Sequence, residues 1–343
     1  MSREKILSII MPLYNSSGVI DATLNNLINS DFPGEEIEIL LINDGSKDST
    51  EEIALKYASK YNFVKYYLKE NGGIASARNF GLDKATGKYV FFHDHDDFFE
   101  TNNLDKILDL IKKYDYDVFN FGTHALYPND VIVDFSHNNF LGELDLTNKE
   151  NETNLLKNLI FADDQNAIST CFISIWAKII KRDFLLKNNI RFVTRREYDD
   201  DFSVSLDLIL YKARIYFSDM YIIKWNRTLV TRSSAPDQMK EDFESNLLAA
   251  KYVEKAAKEN NIIGCEREIN YMYFCASRDY MFYYCRKQIS VKEFKDLLRK
   301  NNIRKYMIAP LPKGITKKQK LLCICFKLKC YYLVYKLSCK KAG

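Results

Sequence analysis

Phe91-Phe92-His93-Asp94-His95-Asp96-Asp97-Phe98 runs apolar residues straight into three carboxylates. Just upstream, Lys88-Tyr89-Val90-Phe91-Phe92 has the aromatic and β-branched content of a strand. A buried strand that ends this way delivers negative charge to the point where its backbone leaves the core. Asp94 and Asp96 are hard oxygen donors in an Asp-x-Asp spacing, suited to Mg²⁺ or Mn²⁺, and such a cation would neutralise a phosphate-bearing ligand. A solvated acidic loop would satisfy the same residues, so the decision falls to the neighbouring segments.

Working outward, Ile6-Leu7-Ser8-Ile9-Ile10-Met11-Pro12 is almost wholly apolar, as a strand covered on both faces should be. It ends at Pro12-Leu13-Tyr14-Asn15, and helical spacing follows over residues 18–28. Ile37-Glu38-Ile39-Leu40-Leu41-Ile42 is a second strand, stopping at Asn43-Asp44-Gly45-Ser46. Asp48-Ser49-Thr50 can cap the next helix, and Phe63 to Leu68 is a third strand. Strand alternating with helix predicts an α/β fold on an open, mostly parallel sheet. Such sheets bind ligands beyond the carboxyl ends of their strands, where Tyr14-Asn15, Asn43-Asp44 and Asp94-His95-Asp96 all fall.

Between the third and fourth strands, Asn71-Gly72-Gly73-Ile74-Ala75-Ser76-Ala77-Arg78-Asn79-Phe80-Gly81 joins a flexible, close-approach loop to a helix presenting Arg78. It lacks the Gly-Lys-Ser/Thr ending of a P-loop. Taken in order, Pro12 to Asn15, Asn43 to Thr50, Asn71 to Gly81 and Phe92 to Asp97 resemble the motifs of family 2 glycosyltransferases. The resemblance covers roughly residues 6 to 235, including Trp176 to Leu185 and Asn189 to Phe192. It implies a GT-A fold, a Rossmann-like mixed, mostly parallel sheet flanked by helices, over residues 1–235, with a helical region over 236–343.

The resemblance assigns roles residue by residue. Pro12, Tyr14, Asp44, Asn71 and Arg78 would surround the donor nucleotide, Asp94 would touch ribose or metal, and Asp96 would ligate Mn²⁺ or Mg²⁺. The family usually has Asp where this chain has Asn43, and a small residue where it has His95, whose imidazole would either narrow the sugar pocket or face solvent. In Glu197-Tyr198-Asp199-Asp200-Asp201-Phe202, counting back from Phe202 sets Asp199 on the family's proton-accepting Asp, with Asp200 the alternative and Tyr198 replacing a Glu. A carboxylate among carboxylates is disfavoured as an anion, which raises its pKa toward that of a useful base. A charged helix N-terminus would also place acids here. Arg227 and Arg232 stand where the family has a segment able to close over the diphosphate.

Residues 237 to 309 are helical by pattern and rich in aromatic residues, a stripe that fits core packing. From Leu297 onward there are thirteen Lys or Arg and no Asp or Glu; the net charge of +4 therefore leaves 4 − 13 = −9 on the rest. A basic tail on an acidic body points to an anionic membrane surface. Read as one continuous helix, however, the tail gives no clean amphipathic wheel. No nucleic-acid module accompanies the charge. The eight Cys have no zinc-ligand spacing, and Met1-Ser2-Arg3-Glu4-Lys5 leads directly into a strand without a secretory signal. No apolar run approaches the roughly 20 residues a membrane span needs. Reduced thiols and a cytoplasmic, peripheral location are the expectation.

The expected activity is metal-dependent, inverting transfer of a sugar, from a UDP-sugar for preference, to a hydroxyl of a bacterial surface glycan or glycolipid. The alternatives are a non-catalytic nucleotide-sugar-binding subunit and a nucleotidyltransferase; the latter would need a basic phosphate loop after the first strand, and none follows Ile10.

Overall fold

The computed structural model describes residues 5–28, 32–161, 168–170, 172–193, 200–228, 239–286 and 289–340. The chain divides into two compact units, Met1–Thr194 with Asp200–Val230, and Arg195–Asp199 with Thr231–Gly343. The division expected at residue 235 falls outside the described residues.

In the first unit the elements begin β1 (Leu7–Leu13), α1 (Ile20–Leu27), β2 (Ile37–Asn43), α2 (Thr50–Lys60), β3 (Val64–Leu68), α3 (Ile74–Lys84) and β4 (Tyr89–Phe92). Strands β3-β2-β1-β4 lie side by side and all parallel. Every residue of β1 and β2 is buried, as runs of Ile, Leu and Met require when helices cover both faces. Each such side chain, fully buried, contributes roughly 1.5–3 kcal/mol. Helix α3 lies directly on β1 because Gly81 has no side chain; a Cβ there would stand 2.3 Å from Ile10 Cγ2.

The chain continues through β5 (Phe98–Phe99), α4 (Leu104–Lys113), β6 (Val118–Tyr127), β7 (Val131–Ser136), β8 (Gly142–Leu144) and α5 (Lys149–Ile160). It then forms β9 (Lys178–Lys181), α6 (Arg182–Lys187), α7 (Asp200–Leu210) and β10 (Ile215–Asn226). The sheet extends past β4 in the order β9-β6-β10-β5, with β7 beside β6 and β8 beside β10. This is the mixed part of the sheet, where β9 enters antiparallel to both β4 and β6. The sheet is therefore a parallel block joined to a mixed one.

Near the start of β2, Glu38 is a fully buried carboxylate with a partner for each oxygen. Ser8 Oγ (2.6 Å), Thr86 N (2.7 Å) and Thr86 Oγ1 (2.8 Å) donate to Oε1, and Lys65 Nζ (2.6 Å) donates to Oε2. Burial raises its pKa, but Lys65, Ser8 and Thr86 together bring it below the ordinary glutamate value. The network ties β1, β2, β3 and the approach to β4 at the end of the sheet away from the acidic loop.

The second unit contains α8 (Met239–Glu259), α9 (Glu266–Arg286), α10 (Val291–Lys300), α11 (Ile303–Met307), α12 (Lys317–Lys327) and α13 (Tyr331–Lys340). Phe274, Met281, Phe294, Met307, Phe326 and Val334 form its core. Much of the aromatic stripe is thus packing, as its spacing suggested. Cys265, Cys275, Cys285, Cys323, Cys325 and Cys330 are free thiols. Among the described residues no helix is long and apolar enough to cross a membrane.

Candidate active site

The carboxyl ends of β1, β2 and β4 carry the residues singled out in the sequence. Pro12 is buried within β1, and Tyr14, just past its end, is 49% exposed. The turn is held open by Asn15, at φ +50°, whose Oδ1 accepts from Lys47 N at 2.8 Å while its own N donates to Ser46 Oγ at 3.0 Å. Asp48 accepts from Thr50 N (3.1 Å) at the head of α2 and from Ser17 N (3.0 Å), locking the loops after β1 and β2 together. Slight burial raises its pKa, but bonds from Thr50 and Ser17 outweigh it and bring the value to about 2.

Asn43 stands where the resembling family usually has an acid, and both ends of its amide are bonded. Its Oδ1 accepts from Ser46 N at 2.9 Å while its Nδ2 donates to Tyr66 Oη at 2.8 Å. Because the amide donates to it, the Tyr66 hydroxyl keeps its own proton for another acceptor. The next residue, Asp44, is buried and accepts from Lys69 Nζ (2.5 Å), Gly72 N (3.0 Å) and Gly73 N (2.7 Å). Asn71 Nδ2 donates to the Asp44 carbonyl at 2.8 Å. Asp44 and Asn71 therefore set the loop that begins α3, and Gly73 supplies the φ of +83° needed at its first turn. Three of the roughly four acceptor positions of the Asp44 carboxylate are filled from within the protein.

One turn into α3, Arg78 is 3% exposed and forks between two acids. Nη2 donates to Asp94 Oδ1 at 3.0 Å, and Nη1 to Asp201 Oδ1 at 2.7 Å. Its guanidinium lies 5.2 Å from the centre of the Phe192 ring. Asn79 holds Phe192 there by bonding its backbone N and O at 2.9 and 2.8 Å. Asp201, on α7, also accepts from Ile175 N at 3.1 Å.

In the loop after β4, His93 is wholly buried and its Nδ1 meets the Asp94 carbonyl at 2.7 Å. Since a carbonyl only accepts, Nδ1 carries the proton. Burial pushes the imidazole pKa down to about 4, so the ring is neutral at pH 7. His95 is half-buried: its Nδ1 faces the Pro12 carbonyl at 3.2 Å, and Thr23 Oγ1 donates to its backbone O at 2.7 Å. Asp96 has a raised pKa through burial, eased by His95 and reinforced by Asp94. Asp97, raised well above the carboxylate range by burial and by Asp94, accepts from Asn226 N at 2.8 Å and so fastens the loop to β10.

The described residues contain no group of three or more His, Cys, Asp or Glu arranged around one metal position. The donor set nevertheless suits a cation bound in the Mg²⁺ manner, through one or two carboxylates and the substrate's phosphates. Mutual repulsion of Asp94 and Asp96 is the strain such a cation would relieve.

The structure thus brings together Pro12, Tyr14, Asp44, Asn71, Arg78, Asp94, His95 and Asp96 through a linked set of loops. Of the two candidate bases, Asp200 opens α7, and Asp199, like Arg232, lies outside the described residues. Arg227 is described, but its guanidinium stacks 4.4 Å from the Trp225 ring centre and 5.6 Å from that of Tyr127. Lys69 and Asp201 were not singled out in the sequence, and Phe192 entered only as the end of the Asn189 to Phe192 stretch. Asp201 had a signal, as the third acid of its run; Lys69 had none that local pattern would reveal, and nothing local linked Phe192 to Arg78.

A mixed sheet flanked by helices, with an Asp-x-Asp loop directly after the parallel strand β4, is a GT-A-like fold. Residues 8–175, just under half of the chain, match the model of glycosyl transferase family 2, which makes this stretch a domain of that family. It is 30% identical over 219 residues to the cholesterol galactosyltransferase of Borreliella burgdorferi, covering 63% of this chain and 58% of that one. It is also 30% identical over 212 residues to the minor teichoic acid biosynthesis protein GgaB of Bacillus subtilis, covering 61% of this chain and 21% of that protein. The chain thus spans well under two thirds of either relative. Among solved structures, residues 1–349 of S. aureus TarS in complex with UDP-GlcNAc superpose with a TM-score of 0.63 at 21% identity, covering 98% of this chain and 90% of that one.

Proposed function

We propose that the chain is a glycosyltransferase that moves a sugar from a nucleoside diphosphate donor, a UDP-sugar for preference, to a hydroxyl group of a surface glycan or glycolipid. The observation that carries this reading is the Arg78 fork, which draws the first acid of the Asp-x-Asp loop and an acid of α7 to one buried guanidinium. That places positive charge beside the carboxylates where a diphosphate would leave. The complex of TarS with UDP-GlcNAc, and the galactosyl and teichoic acid titles of the two relatives, support the donor and acceptor classes.

In this reading the exposed Tyr14 ring stacks on the base, while Asp44 and Asn71 fix the loop over which the ribose lies. Asp94 and Asp96 would hold Mn²⁺ or Mg²⁺, which supplies positive charge to the departing diphosphate. Arg78 orients Asp94 and adds its own charge nearby. Asp199 or Asp200 takes the proton of the acceptor hydroxyl as it attacks the anomeric carbon from the far face, which inverts that centre. Asp201, held by Arg78 and Ile175 N, is a positioning residue.

The test is calorimetric titration of UDP with and without Mn²⁺ into the full chain and its Asp96→Ala variant. Wild type should bind more tightly with the metal and the variant should not respond to it. Absence of UDP binding by wild type would overturn the proposal.

A further inference from the structure

The basic tail is two helices rather than one, which is why a single helical wheel fails on it. Helix α12 ends at Lys327, Lys329 turns the chain at φ +57°, and α13 starts at Tyr331. Each helix sets one side on the core of its unit: Leu322, Cys325 and Phe326 from α12, Val334 from α13.

The other side is exposed and carries apolar residues among lysines. Leu321 (47%), Ile324 (50%) and Leu328 (69%) are exposed at a spacing of three and four, which makes one stripe along α12 and into the turn. Tyr332 (59%) and Leu333 (46%) continue the apolar surface onto α13. Lys317, Lys320, Lys327 and Lys336 are exposed among them, and Lys336 Nζ lies 5.7 Å from the centre of the Tyr332 ring. No acid occurs anywhere from Leu297 to the end of the chain.

We propose that this helical hairpin docks on an anionic lipid surface, Leu321, Ile324 and Leu328 entering the acyl boundary and the lysines spreading toward the headgroups. The combination selects the occupant. A protein partner or second copy offering only an apolar face would leave a ring of unneutralised lysines. A lipid leaflet takes the apolar stripe and supplies dispersed negative charge, and long Lys side chains reach it while their stems lie along the stripe. Charge alone would not call for apolar residues on the exposed side. The inference does not depend on the sugar-transfer reading, and it suits that reading, since a glycolipid acceptor would lie in the same surface.

The test is co-sedimentation of the full chain with vesicles of phosphatidylcholine alone or with 30% phosphatidylglycerol, by the one-chain, two-signal logic of weak anchors. Binding is expected only to the anionic vesicles and should weaken as salt is raised. A Leu321→Ser, Ile324→Ser, Leu328→Ser variant should lose about tenfold in partition at constant charge. A Lys317→Gln, Lys320→Gln, Lys327→Gln variant should lose the preference for phosphatidylglycerol. Both should keep the wild-type circular dichroism and UDP affinity, which separates a failed hairpin from a misfolded chain. Equal binding by wild type and the serine variant, or no binding to anionic vesicles, would overturn the proposal. So would a wild-type dimer that the serine variant converts to a monomer.

Discussion

Arg78 and Asp94 are joined by a 3.0 Å hydrogen bond from Nη2 to Oδ1, with the guanidinium buried and the carboxylate still one quarter exposed. The cation thus turns a solvent-facing acid into one of fixed direction. Arg78→Lys keeps the charge but cannot serve Asp94 and Asp201 in one plane. The variant should unfold about 1–2 kcal/mol more easily in urea, and Arg78→Ala about 3 kcal/mol, because a buried pair is left half made. Sugar transfer should fall by at least about a hundredfold in both, equivalent to ~2.7 kcal/mol at the barrier. An active Arg78→Lys enzyme would remove the fork from the mechanism.

Tyr14 offers the opposite case, a large ring just past the end of β1 with half its surface in water. Its packing contribution to the fold is small, so Tyr14→Ala should leave the unfolding midpoint within about 0.5 kcal/mol of wild type. Stacking on a base is worth roughly 1–3 kcal/mol, so UDP affinity should drop about tenfold or more. Tyr14→Phe should restore it.

For the proton acceptor, Asp199→Asn and Asp200→Asn should separate cleanly. One of them should lower kcat about a thousandfold while UDP affinity stays within a factor of two, as loss of a general base without loss of binding predicts. Steady-state kinetics with calorimetry decides which. If both variants transfer sugar at the wild-type rate, neither acid is the base.

Glu38 governs acid stability at the far end of the sheet. Its folded pKa lies below its unfolded value, so it contributes stability that is complete above about pH 4.3 and is lost as pH falls through the folded value. Glu38→Gln should cost about 3 kcal/mol at pH 7, because Lys65 and the Ser8–Thr86 donors lose a charged acceptor, and should flatten the fall in stability below pH 5. Urea titrations from pH 3 to 8 would record both effects; parallel curves for the two proteins would contradict the assignment.

Much of the first unit was legible because β1, β2 and β4 are apolar runs whose burial leaves them no other conformation, and because each ends in a polar cluster. The loop residues were legible as a group for the same reason. What each one touches was not. That Asp44 would spend its carboxylate on Lys69 and two backbone amides depends on a loop folding back 25 to 29 residues later. The partnership of Arg78 with Asp201 spans 123 residues and carries no local trace. The antiparallel entry of β9 was hidden similarly, since Lys178-Ile179-Ile180-Lys181 has a strand's composition in either direction. The tail misled for a simpler reason: Lys329 adopts the left-handed conformation without being Gly or Asn, so no residue marked the break.

The bare backbone at Gly81 has a reach beyond its own packing. It lies three positions after Arg78, so both ride on the same stretch of α3. Any methyl at position 81 must lift that helix off Ile10, or displace Ile10 into the sheet, and lifting the helix carries the guanidinium away from Asp94. The register of the charge beside the Asp-x-Asp loop is thus calibrated by an empty place on the helix's hidden side, and a Gly81→Ala protein could remain folded while the Arg78–Asp94 pair loses alignment.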